Sequence, residues 1–396
     1  MPVRSCRMFN PLGWWEEPRE LKRLVVVGCG PSGIQIIRSL WKDFEVTLVE
    51  PKDYYEFTPG ILRGLCDPEH LETLQVPLAD ALAGMNVKHI KGQVIEIGED
   101  HMDLRCQEGL VSLCFDFAVV AVGSRYAGSS LWKVTGEADQ CSLEGRRKHL
   151  AAMREGLQAM AASKSRVGLL GAGLVGVELA AELVHYFPDL RVVLADKCPM
   201  VLPALCPEAQ SYAHQWLEEH GVELRLGREL PKDEAELLKT LEVEQVHLCA
   251  GVSFHADLVA SLGCLDDRQQ ILTNRFMQCV SPTHVPCLGG RLFALGDCVT
   301  VLGTEMNFTK DIYPAEAMAN VVVANLRQEP RELPSRLQEM TLCSLGPSDC
   351  MWVMNGKLMA TGWIAQQLKH QVEVTKMGEM RQEIWGSLVW SMIPHW

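Results

Sequence analysis

The chain has 396 residues, of which 47% are apolar and 32 are glycine. One hydrophobic core stops growing near about 250–300 residues, so this length predicts two or three domains of globular α/β type. The formal net charge of −13 argues against nucleic acid as a partner, because phosphate recognition needs a dense basic face.

The first predicted unit is a strand, a glycine turn and a helix. An apolar run at 24–27 leads into Gly28, Gly30 and Gly33, and the strand after the helix ends at Glu50. Gly28 permits a tight turn, Gly30 lets the backbone approach a pyrophosphate, and Gly33 lets helix and strand pack closely. The pattern predicts a dinucleotide site in which Glu50 accepts hydrogen bonds from a ribose.

A second copy of this unit follows a buried strand near 117–122 and a predicted helix at 148–164. Gly171, Gly173 and Gly176 stand again between an apolar strand and a helix, and the next strand ends at Asp196. An acid there repels a 2′-phosphate, so NADH is favoured over NADPH, although the neighbouring lysine softens that preference. For each glycine motif, the alternative is a buried turn that binds no ligand.

Three further segments complete the pattern. A short strand is predicted at 222–226, a strand near 246–248 ends in Ala250-Gly251, and an apolar strand at 293–295 ends in Gly296-Asp297. Along the chain, the first glycine motif is followed by a strand at which the chain leaves the first domain, and then by the second glycine motif. A second strand leads the chain back, and the Gly-Asp segment follows.

These segments in this order resemble the pyridine-nucleotide flavoprotein oxidoreductases with two dinucleotide-binding domains. The loop at 50–60 is similar to that of type II NADH dehydrogenases, where a Phe-Thr-Pro segment lies beside the flavin ring. Residues 313–322 and 355–381 look more like the ferroptosis-suppressor and apoptosis-inducing-factor-like flavoproteins. The resemblance covers about 23–385 and implies an α/β fold with two Rossmann-like domains of the glutathione-reductase type, a C-terminal α+β domain, and FAD and NADH as cofactors.

The resemblance also implies which residues contact each cofactor. The expected FAD-binding residues are Gly28, Gly30, Pro31, Ser32, Gly33, Glu50, Pro51, Lys52, Thr58, Pro59, Val94, Ala121, Gly123, Gly296, Asp297, Tyr313, Pro314 and Ala315. The expected NADH-binding residues are Gly171, Gly173, Val175, Gly176, Glu178, Asp196, Ala250 and Gly251.

Two residues are candidates for a catalytic role. Glu178 matches the glutamate that type II dehydrogenases place near nicotinamide and acceptor, which implies nicotinamide positioning and proton delivery to a reduced quinone. Alternatively, Glu178 only caps or pairs near a helix start. Lys310 is expected to stabilise negative charge on reduced flavin, or it is a surface lysine before a helix.

The acceptor site departs from the family pattern. Type II dehydrogenases carry an Ala-Gln…Gln-Gln segment at the quinone tunnel, whereas this chain has Ala315-Glu316 and Met318-Ala319-Asn320. The favoured function is an FAD-dependent NAD(P)H:quinone oxidoreductase at a membrane surface. The rivals are a redox-sensing flavoprotein like apoptosis-inducing factor and a non-catalytic flavoprotein subunit of a larger complex.

The cysteine pattern predicts reduced thiols and no metal site. The chain has 15 cysteines, but no Cys-x-x-Cys pair and no zinc spacing. The disulfide-reductase branch needs a redox cysteine pair soon after the first strand–helix–strand unit, and this chain has only Cys66 there. We therefore expect electrons to pass directly from flavin to acceptor, without a dithiol relay. The thiols and the absence of a signal-peptide pattern predict an intracellular reducing compartment.

The last residues carry an amphipathic pattern. From 379 to 393, apolar residues recur every fourth position, which predicts a helix with one tryptophan-rich face. Such a helix fits peripheral contact with a cytoplasmic or organellar membrane surface, docking on its own domain, or the seam of a homodimer. No apolar stretch long enough to span a membrane is found.

The motifs predict a discontinuous domain arrangement, because Asp297 has to meet the cofactor bound by Gly28. We expect the FAD-binding domain at 1–136 and 263–330, an inserted NADH-binding domain at 137–262, and a C-terminal domain with the amphipathic helix at 331–396.

Overall fold

The computed structural model describes residues 20–126, 138–304, 312–384 and 386. Up to residue 126, the elements are β1 (Arg23–Val27), α1 (Pro31–Leu40), β2 (Glu45–Val49), β3 (Tyr54–Glu56), α2 (Ile61–Cys66), α3 (Pro68–Thr73), β4 (Gln75–Pro77), α4 (Leu78–Ala81), β5 (Val87–Ile90), β6 (Gly92–Ile97), β7 (His101–Cys106), β8 (Gly109–Cys114), β9 (Phe117–Val120) and β10 (Ser124–Tyr126).

The central elements are α5 (Leu143–Ala162), β11 (Arg166–Leu170), α6 (Leu174–Tyr186), β12 (Arg191–Asp196), α7 (Pro207–Glu219), β13 (Glu223–Leu226), α8 (Glu234–Leu241), β14 (Gln245–Leu248) and β15 (Val252–Phe254). The remaining elements are β16 (Ile271–Thr273), β17 (Leu292–Ala294), β18 (Val299–Val301), α9 (Ile312–Leu326), β19 (Met340–Leu345), β20 (Asp349–Met354), β21 (Lys357–Thr361) and α10 (Trp363–Met380). Short 3-10 turns lie at Thr58–Gly60, Ala138–Cys141, Asp257–Leu262 and Cys287–Gly290.

Two parallel sheets organise the described chain. The first has the strand order β17-β9-β1-β2-β5, and the second has the order β13-β12-β11-β14. Their inner strands β1, β9, β11 and β12 are mostly apolar and buried, as expected for parallel strands that are covered on both faces, whereas the edge strands β5, β13 and β14 are more polar. The expected α/β class with two Rossmann-like units is confirmed.

The first sheet brings distant segments to one edge. In parallel register, β17 pairs with β9 and β9 pairs with β1, so the carboxyl ends of these three strands lie side by side. The chain proceeds from β1 to β2 on one side, while β9 lies on the other side of β1. Ligands of open α/β sheets bind at such a reversal of strand order.

The two sheets are linked by a pair of short strands. As the chain leaves the first sheet it forms β10, and as it leaves the second sheet it forms β15; the two pair antiparallel. The helix α5 begins earlier than the predicted 148–164, because Ser142 caps it by accepting a hydrogen bond from Gly145 N at 3.0 Å. The part of the chain built on the first sheet, which includes α9, is the first half of the molecule, and the part built on the second sheet is its second half. Arg146 of α5 is fully buried and donates to Glu56 at 3.1 Å, which fixes the start of this helix against the first half.

The C-terminal segment forms an antiparallel sheet, β19-β20-β21, followed by α10. Its apolar residues do not form a separate core. Cys343, Leu345, Met351 and Val353 share one buried cluster with α6, and the α2 residues Ile61 and Leu65 join that cluster as well. The domain boundaries predicted from the sequence stay a prediction.

The predicted helix from 379 to 393 is interrupted at residues 381–383. The helix α10 ends at Met380, and Gln382 adopts a φ of +61°, so the chain turns there. Arg381 donates to Thr73 O at 2.6 Å and Gln382 donates to Ala83 O at 2.8 Å, which ties the turn to the first half. The expectation of one continuous helix from 379 is therefore wrong; residues 387–396 lie outside the described residues.

Candidate functional site

The first glycine motif forms a close-packed turn between β1 and α1. Gly28 has a φ of +98°, and a Cβ on it would lie 2.5 Å from Ala121 O. A Cβ on Gly33 would overlap Gly28 O, whereas one on Gly30 would have no heavy atom within 4 Å. Gly30 is also the N-cap of α1, so open space adjoins unpaired backbone N–H groups. This geometry fits a dinucleotide pyrophosphate.

The second motif repeats this geometry between β11 and α6. Gly171 has a φ of +116°, and a Cβ on it would lie 2.7 Å from the Ala250 Cβ. A Cβ on Gly176 would overlap Gly171 O, whereas Gly173, the N-cap of α6, is open. The residues of this motif therefore fit a second dinucleotide.

The acids at the ends of β2 and β12 brace these turns. Glu50 accepts hydrogen bonds from Cys29 N at 2.8 Å and Lys52 N at 3.1 Å. Asp196 accepts from Ala172 N at 2.7 Å and from the backbone N two residues after it at 2.8 Å. Each carboxylate holds the glycine turn from the position where the sequence predicts ribose recognition, so bracing is a role that the sequence did not reveal.

The Gly296-Asp297 segment lies beside the first glycine motif. Ser124 Oγ donates to Asp297 Oδ2 at 2.5 Å, and a Cβ on Gly296 would lie 3.6 Å from Ser32 Oγ. Gly296 N also lies 3.4 Å from Met318 Sδ of α9. The Gly-Asp segment, the end of β9 and the first glycine turn therefore converge at the carboxyl edge of the first sheet.

The other predicted site residues lie at the following places. Pro51 and Lys52 follow β2, Thr58 and Pro59 form the 3-10 turn before α2, Ala121 and Gly123 follow β9, and Tyr313, Pro314 and Ala315 begin α9. Val175 begins α6, Ala250 and Gly251 follow β14, and Val94 is buried on β6, outside the parallel sheet. Lys310 lies outside the described residues.

Glu178 connects α6 to the C-terminal segment. Its Oε1 accepts from Lys369 Nζ of α10 at 2.5 Å and from Ser344 N of β19 at 2.8 Å. Burial is the largest single influence on Lys369 and disfavours its charge, but the charge and hydrogen bond of Glu178, together with Cys350 and Cys343, raise the pKa of Lys369 overall. The lysine is therefore an ammonium group at neutral pH, and it neutralises the acid beside it.

Arg63 of α2 is a second connection at the same place. It donates to Glu182 of α6 at 2.8 Å, to Ser344 Oγ at 3.1 Å and to Gly346 O at 3.0 Å. Burial works against the charge of Arg63, yet the Glu182 carboxylate raises its pKa. One guanidinium thus joins a helix of the first half, the second half and the C-terminal sheet.

A polar cavity opens between these three parts. Its walls are formed by the 3-10 turn, α2, α3, α6, β19 and α10, through Pro59, Gly60, Leu62, Arg63, His70, Glu178, Glu182, Ser344, Gln366, Lys369, His370 and Glu373. Pro59 and Glu178 were predicted to lie near flavin and nicotinamide respectively, and both line this cavity. The structure therefore brings one residue of each predicted set to a shared space.

A buried ion pair lies on α9 where the sequence departs from the quinone-tunnel pattern. Glu316 and Lys376 of α10 are in direct contact, and only 4% and 5% of their surfaces are exposed. Burial, followed by the charge of Glu316, raises the pKa of Tyr55, which keeps this neighbouring phenol neutral. Near the start of α9, the chain therefore places a paired carboxylate instead of an amide.

Sequence reasoning missed the polar residues of α10. Gln366, Lys369, Glu373 and Lys376 recur at helical spacing and face inward, so the sequence did contain the signal of one polar helix face. Their partners lie in sequence-distant elements and could not be assigned.

Among the described residues, all cysteines are free and no group of three ligating side chains could hold a metal ion. In the same ranges, no helix is both long and apolar enough to cross a bilayer.

Comparison with known proteins gives a consistent set of relatives. The family model described as pyridine nucleotide-disulphide oxidoreductase matches residues 22–324. The type II NADH:quinone oxidoreductase of Staphylococcus aureus is 23% identical over 381 residues, covering 86% of this chain and 92% of that protein.

Two solved structures share the fold over nearly their whole length. The sulfide:quinone oxidoreductase of Aquifex aeolicus has a TM-score of 0.71 at 17% identity and covers 95% of this chain and 96% of its own. NDH2 of Plasmodium falciparum, solved in complex with NADH, has a TM-score of 0.70 at 12% identity and covers 96% of this chain and 100% of its own. At these identities the likeness concerns the fold alone.

Proposed function

Because this chain belongs to the pyridine nucleotide-disulphide oxidoreductase family, we propose that it oxidises NADH and delivers the electrons to a quinone at a membrane surface. The chain is an NADH-dependent flavin oxidoreductase, with FAD and NADH as its cofactors. When bound, FAD accepts a hydride from NADH and passes two electrons to the acceptor. The proposal concerns the acceptor, the place of reaction and the roles of individual residues.

In this proposal each glycine turn holds one dinucleotide. The turn at Gly28 to Gly33 holds FAD, because Asp297 and Ser124 converge on it. The turn at Gly171 to Gly176 then holds NADH, and its unpaired N–H groups at the start of α6 bind the pyrophosphate. The protein's part in hydride transfer is to orient the two rings and exclude water.

The observation that carries the proposal is the position of Glu178. It lies on the helix that begins at the second glycine turn, and its carboxylate meets Lys369 at the cavity that Pro59 lines from the first half. A carboxylate at the joint of both halves is suited to orient nicotinamide and, once it has taken up a proton, to pass that proton to a reduced acceptor. We assign both roles to Glu178.

One observation favours the rival redox sensor. The Glu316–Lys376 pair is buried near the start of α9, where type II dehydrogenases carry glutamine at the quinone tunnel. A buried ion pair at that position would reduce the room available to a quinone head group and would put two paired charges in place of a neutral amide. In the rival, NADH reduces FAD slowly, and the lasting reduced state changes the binding of a partner.

Anaerobic stopped-flow spectroscopy separates the two. Purified protein is first reduced with NADH, and a short-chain ubiquinone analogue is then added in the presence or absence of liposomes. Rapid reoxidation of the flavin supports the quinone reductase, whereas a reduced flavin that persists with quinone supports the sensor. Colourless protein that gains no spectrum with added FAD would contradict both.

Membrane contact is proposed from the C-terminal segment. Met359, Trp363 and Ile364 are close in sequence, and 53%, 68% and 68% of their surfaces are exposed. Exposed apolar residues clustered at the start of α10 favour a surface that rests on lipid head groups. The test is liposome flotation of the full chain, a chain truncated before Ile384, and the Trp363→Ser/Ile364→Ser variant. Equal flotation of all three would contradict this proposal, and sedimentation of the same samples tests the predicted homodimer.

A further inference from the structure

The inward face of α10 carries more charge than packing requires. Gln366, Lys369, Glu373 and Lys376 lie on this face, and Gln366, Glu373 and Lys376 are at most 7% exposed. Burying charged groups costs free energy that paired partners recover only in part, so apolar residues would pack this face at least as well. A face of this kind points to a role other than holding the helix in place.

Each of these polar residues has a partner from another element. Lys369 binds Glu178 of α6 and Lys376 contacts Glu316 of α9. Glu373 Oε1 lies 3.4 Å from His70 Nε2 of α3, which is an ion-pair distance without a hydrogen bond. Gln366 satisfies both ends of its amide when it accepts from Arg63 Nη1 at 3.2 Å and donates to a β20 carbonyl at 3.2 Å. The face therefore forms a row of polar pairs extending about 15 Å along the helix.

Glu373 has the position of a relay within this row. It lines the same cavity as Lys369 and Glu178, one helical turn further along α10. His70 has a side chain that is 15% exposed, and His370, on the cavity wall beside it, is exposed to solvent. Glu373 thus stands between groups that reach solvent and the Lys369–Glu178 pair.

Gly60 makes room for this carboxylate. A Cβ on Gly60 would lie 2.6 Å from Glu373 Oε2 and 2.6 Å from a methyl carbon of Leu74. The backbone of Gly60 has a φ of −93°, which any residue adopts, so glycine is required here for space alone. Glu373 therefore reaches the turn that contains Thr58 and Pro59, the residues predicted to lie beside the flavin.

We propose that Glu373 relays the proton that quinone reduction consumes, from His70 and His370 at the solvent side to the Lys369–Glu178 pair. The inference rests on the proposed function. NADH supplies one hydride, and a quinone needs two electrons and two protons to become a quinol, so one proton comes from the medium in each turnover. The O–H bond of Glu178 breaks as an O–H bond forms on the reduced quinone, and Glu178 takes a new proton from Glu373, whose O–H bond breaks. The N–H bond of protonated His70 then breaks to restore the proton on Glu373, and the medium returns a proton to His70.

The groups that act on Glu373 come from four helices. They are Arg63 of α2, His70 of α3, Glu178 and Glu182 of α6, and Lys369, His370 and Lys376 of α10. Any pH dependence of the relay belongs to this set as a whole, because close charges titrate together. The solvent isotope effect is therefore the more direct readout.

The test compares Glu373→Gln with Glu379→Gln. Glu379 lies on the same helix and pairs with Lys376 and Arg38, at 3.5 and 3.8 Å, but it does not line the cavity. Stopped-flow measurements follow flavin reduction by NADH and flavin reoxidation by a short-chain quinone in H₂O and D₂O. For Glu373→Gln we expect unchanged FAD content and reduction, reoxidation at least about tenfold slower, and a larger solvent isotope effect. Glu379→Gln is expected to behave like the wild type in both steps.

Gly60→Ala and infrared spectroscopy provide independent readouts. The alanine methyl displaces the Glu373 carboxylate, so Gly60→Ala should also slow only reoxidation. The infrared difference between dithionite-reduced and oxidised protein should contain a carboxylic-acid C=O band that is absent in Glu373→Gln. A wild-type protein that quinone does not reoxidise would overturn the proposed function and the relay together. Normal quinone reoxidation in Glu373→Gln, or equal slowing of both steps without an isotope effect, would overturn the relay alone.

Discussion

The two glycine turns are alike in backbone and different in what their helices present. In both, the first glycine has a positive φ, the third packs on the carbonyl of the first, and an acid 22 or 25 residues after the first glycine braces the turn, as Gly28/Glu50 and Gly171/Asp196 show. Two residues after the third glycine, α1 carries Gln35 and α6 carries Glu178.

The side chain at this position is neutral in the first half and charged in the second half. Gln35 donates to Asn320 of α9 at 2.6 Å, which forms a neutral amide pair inside the first half. Glu178 instead binds the Lys369 ammonium of α10 and connects the second half to the C-terminal segment. The glycine turn provides a binding site in both halves. The residue two positions after its third glycine determines whether a charged side chain lies between the halves.

The largest effect is expected from the third glycine of each turn. An alanine methyl at either position would overlap the carbonyl of the first glycine. Gly33→Ala should yield protein without FAD, whereas Gly176→Ala should keep FAD and need at least about 100-fold more NADH for reduction. The FAD-to-protein absorbance ratio and an NADH titration measure the two effects. Reversed phenotypes would exchange the assignment of the two sites.

The next largest effect, on quinone turnover, is expected from substitution of Glu178, the residue that differs between the two helices. Glu178→Gln should lower quinone turnover about 30-fold with FAD retained, because an amide leaves the buried Lys369 ammonium unpaired. Gln35→Ala, the matched control in the first half, removes one neutral hydrogen bond and should cost about 1 kcal/mol of unfolding free energy with turnover within about threefold. Steady-state kinetics decide the matter: wild-type turnover in Glu178→Gln would refute the role of this residue.

A smaller effect is expected at the acids that brace the turns. Asp196→Asn removes the charge that repels a 2′-phosphate, so the ratio of kcat/KM for NADH over NADPH should fall about tenfold. The ratio is the readout, because loss of bracing at Ala172 N affects both coenzymes. Glu50→Gln in the first half should leave the ratio unchanged. A change in Glu50→Gln alone would indicate that NADH binds at the first turn.

The smallest effect is a pH dependence of stability that we expect from a buried histidine in the second sheet and not from the first sheet. Val119 of β9 pairs with Val26, and at the same register of the second sheet His247 of β14 pairs with Leu169. Burial lowers the pKa of His247 to about 4. Below about pH 6.5, the pKa of an unfolded histidine, the unfolded chain binds a proton that the folded chain does not bind. The free energy of unfolding therefore decreases as the pH is lowered, by about 1 kcal/mol at pH 5.5.

His247→Asn tests this difference. The variant should lose that part of the acid sensitivity and keep wild-type activity at pH 7.5, where the histidine is neutral in both states. Urea unfolding at pH 5.5 and 7.5 measures it, with Val119→Ile as the control in the first sheet. Equal pH dependence in His247→Asn and wild type would mean that the histidine is not the source.

The parallel sheets were predictable from sequence because their signals are local. An apolar strand, three glycines and a terminal acid lie within about 25 residues, and Asp297 could be joined to Gly28 because both end strands in a known order. The helix α5 was placed with an error at its start, because the Ser142 cap lies outside the apolar pattern.

The contacts of the C-terminal segment were not predictable in this way. Lys369 and Glu178 are 191 residues apart, and only the tertiary fold decides which acid meets which base. The helix predicted at 379–393 followed apolar spacing, but at 381–383 side-chain bonds from Arg381 and Gln382 to the first half outweigh that local preference. Periodicity finds a helix face, and it does not reveal what that face meets.

Gly60 has a consequence for the interpretation of natural variants. Its backbone torsions are ordinary, so a scoring scheme based on torsion would rank a missense change there as harmless. The crowding by Glu373 and Leu74 implies the opposite, since a methyl group fits there only if the ends of these two side chains move. A carrier of such an allele would therefore make a folded, yellow protein in normal amounts whose defect emerges only when electrons have to leave it.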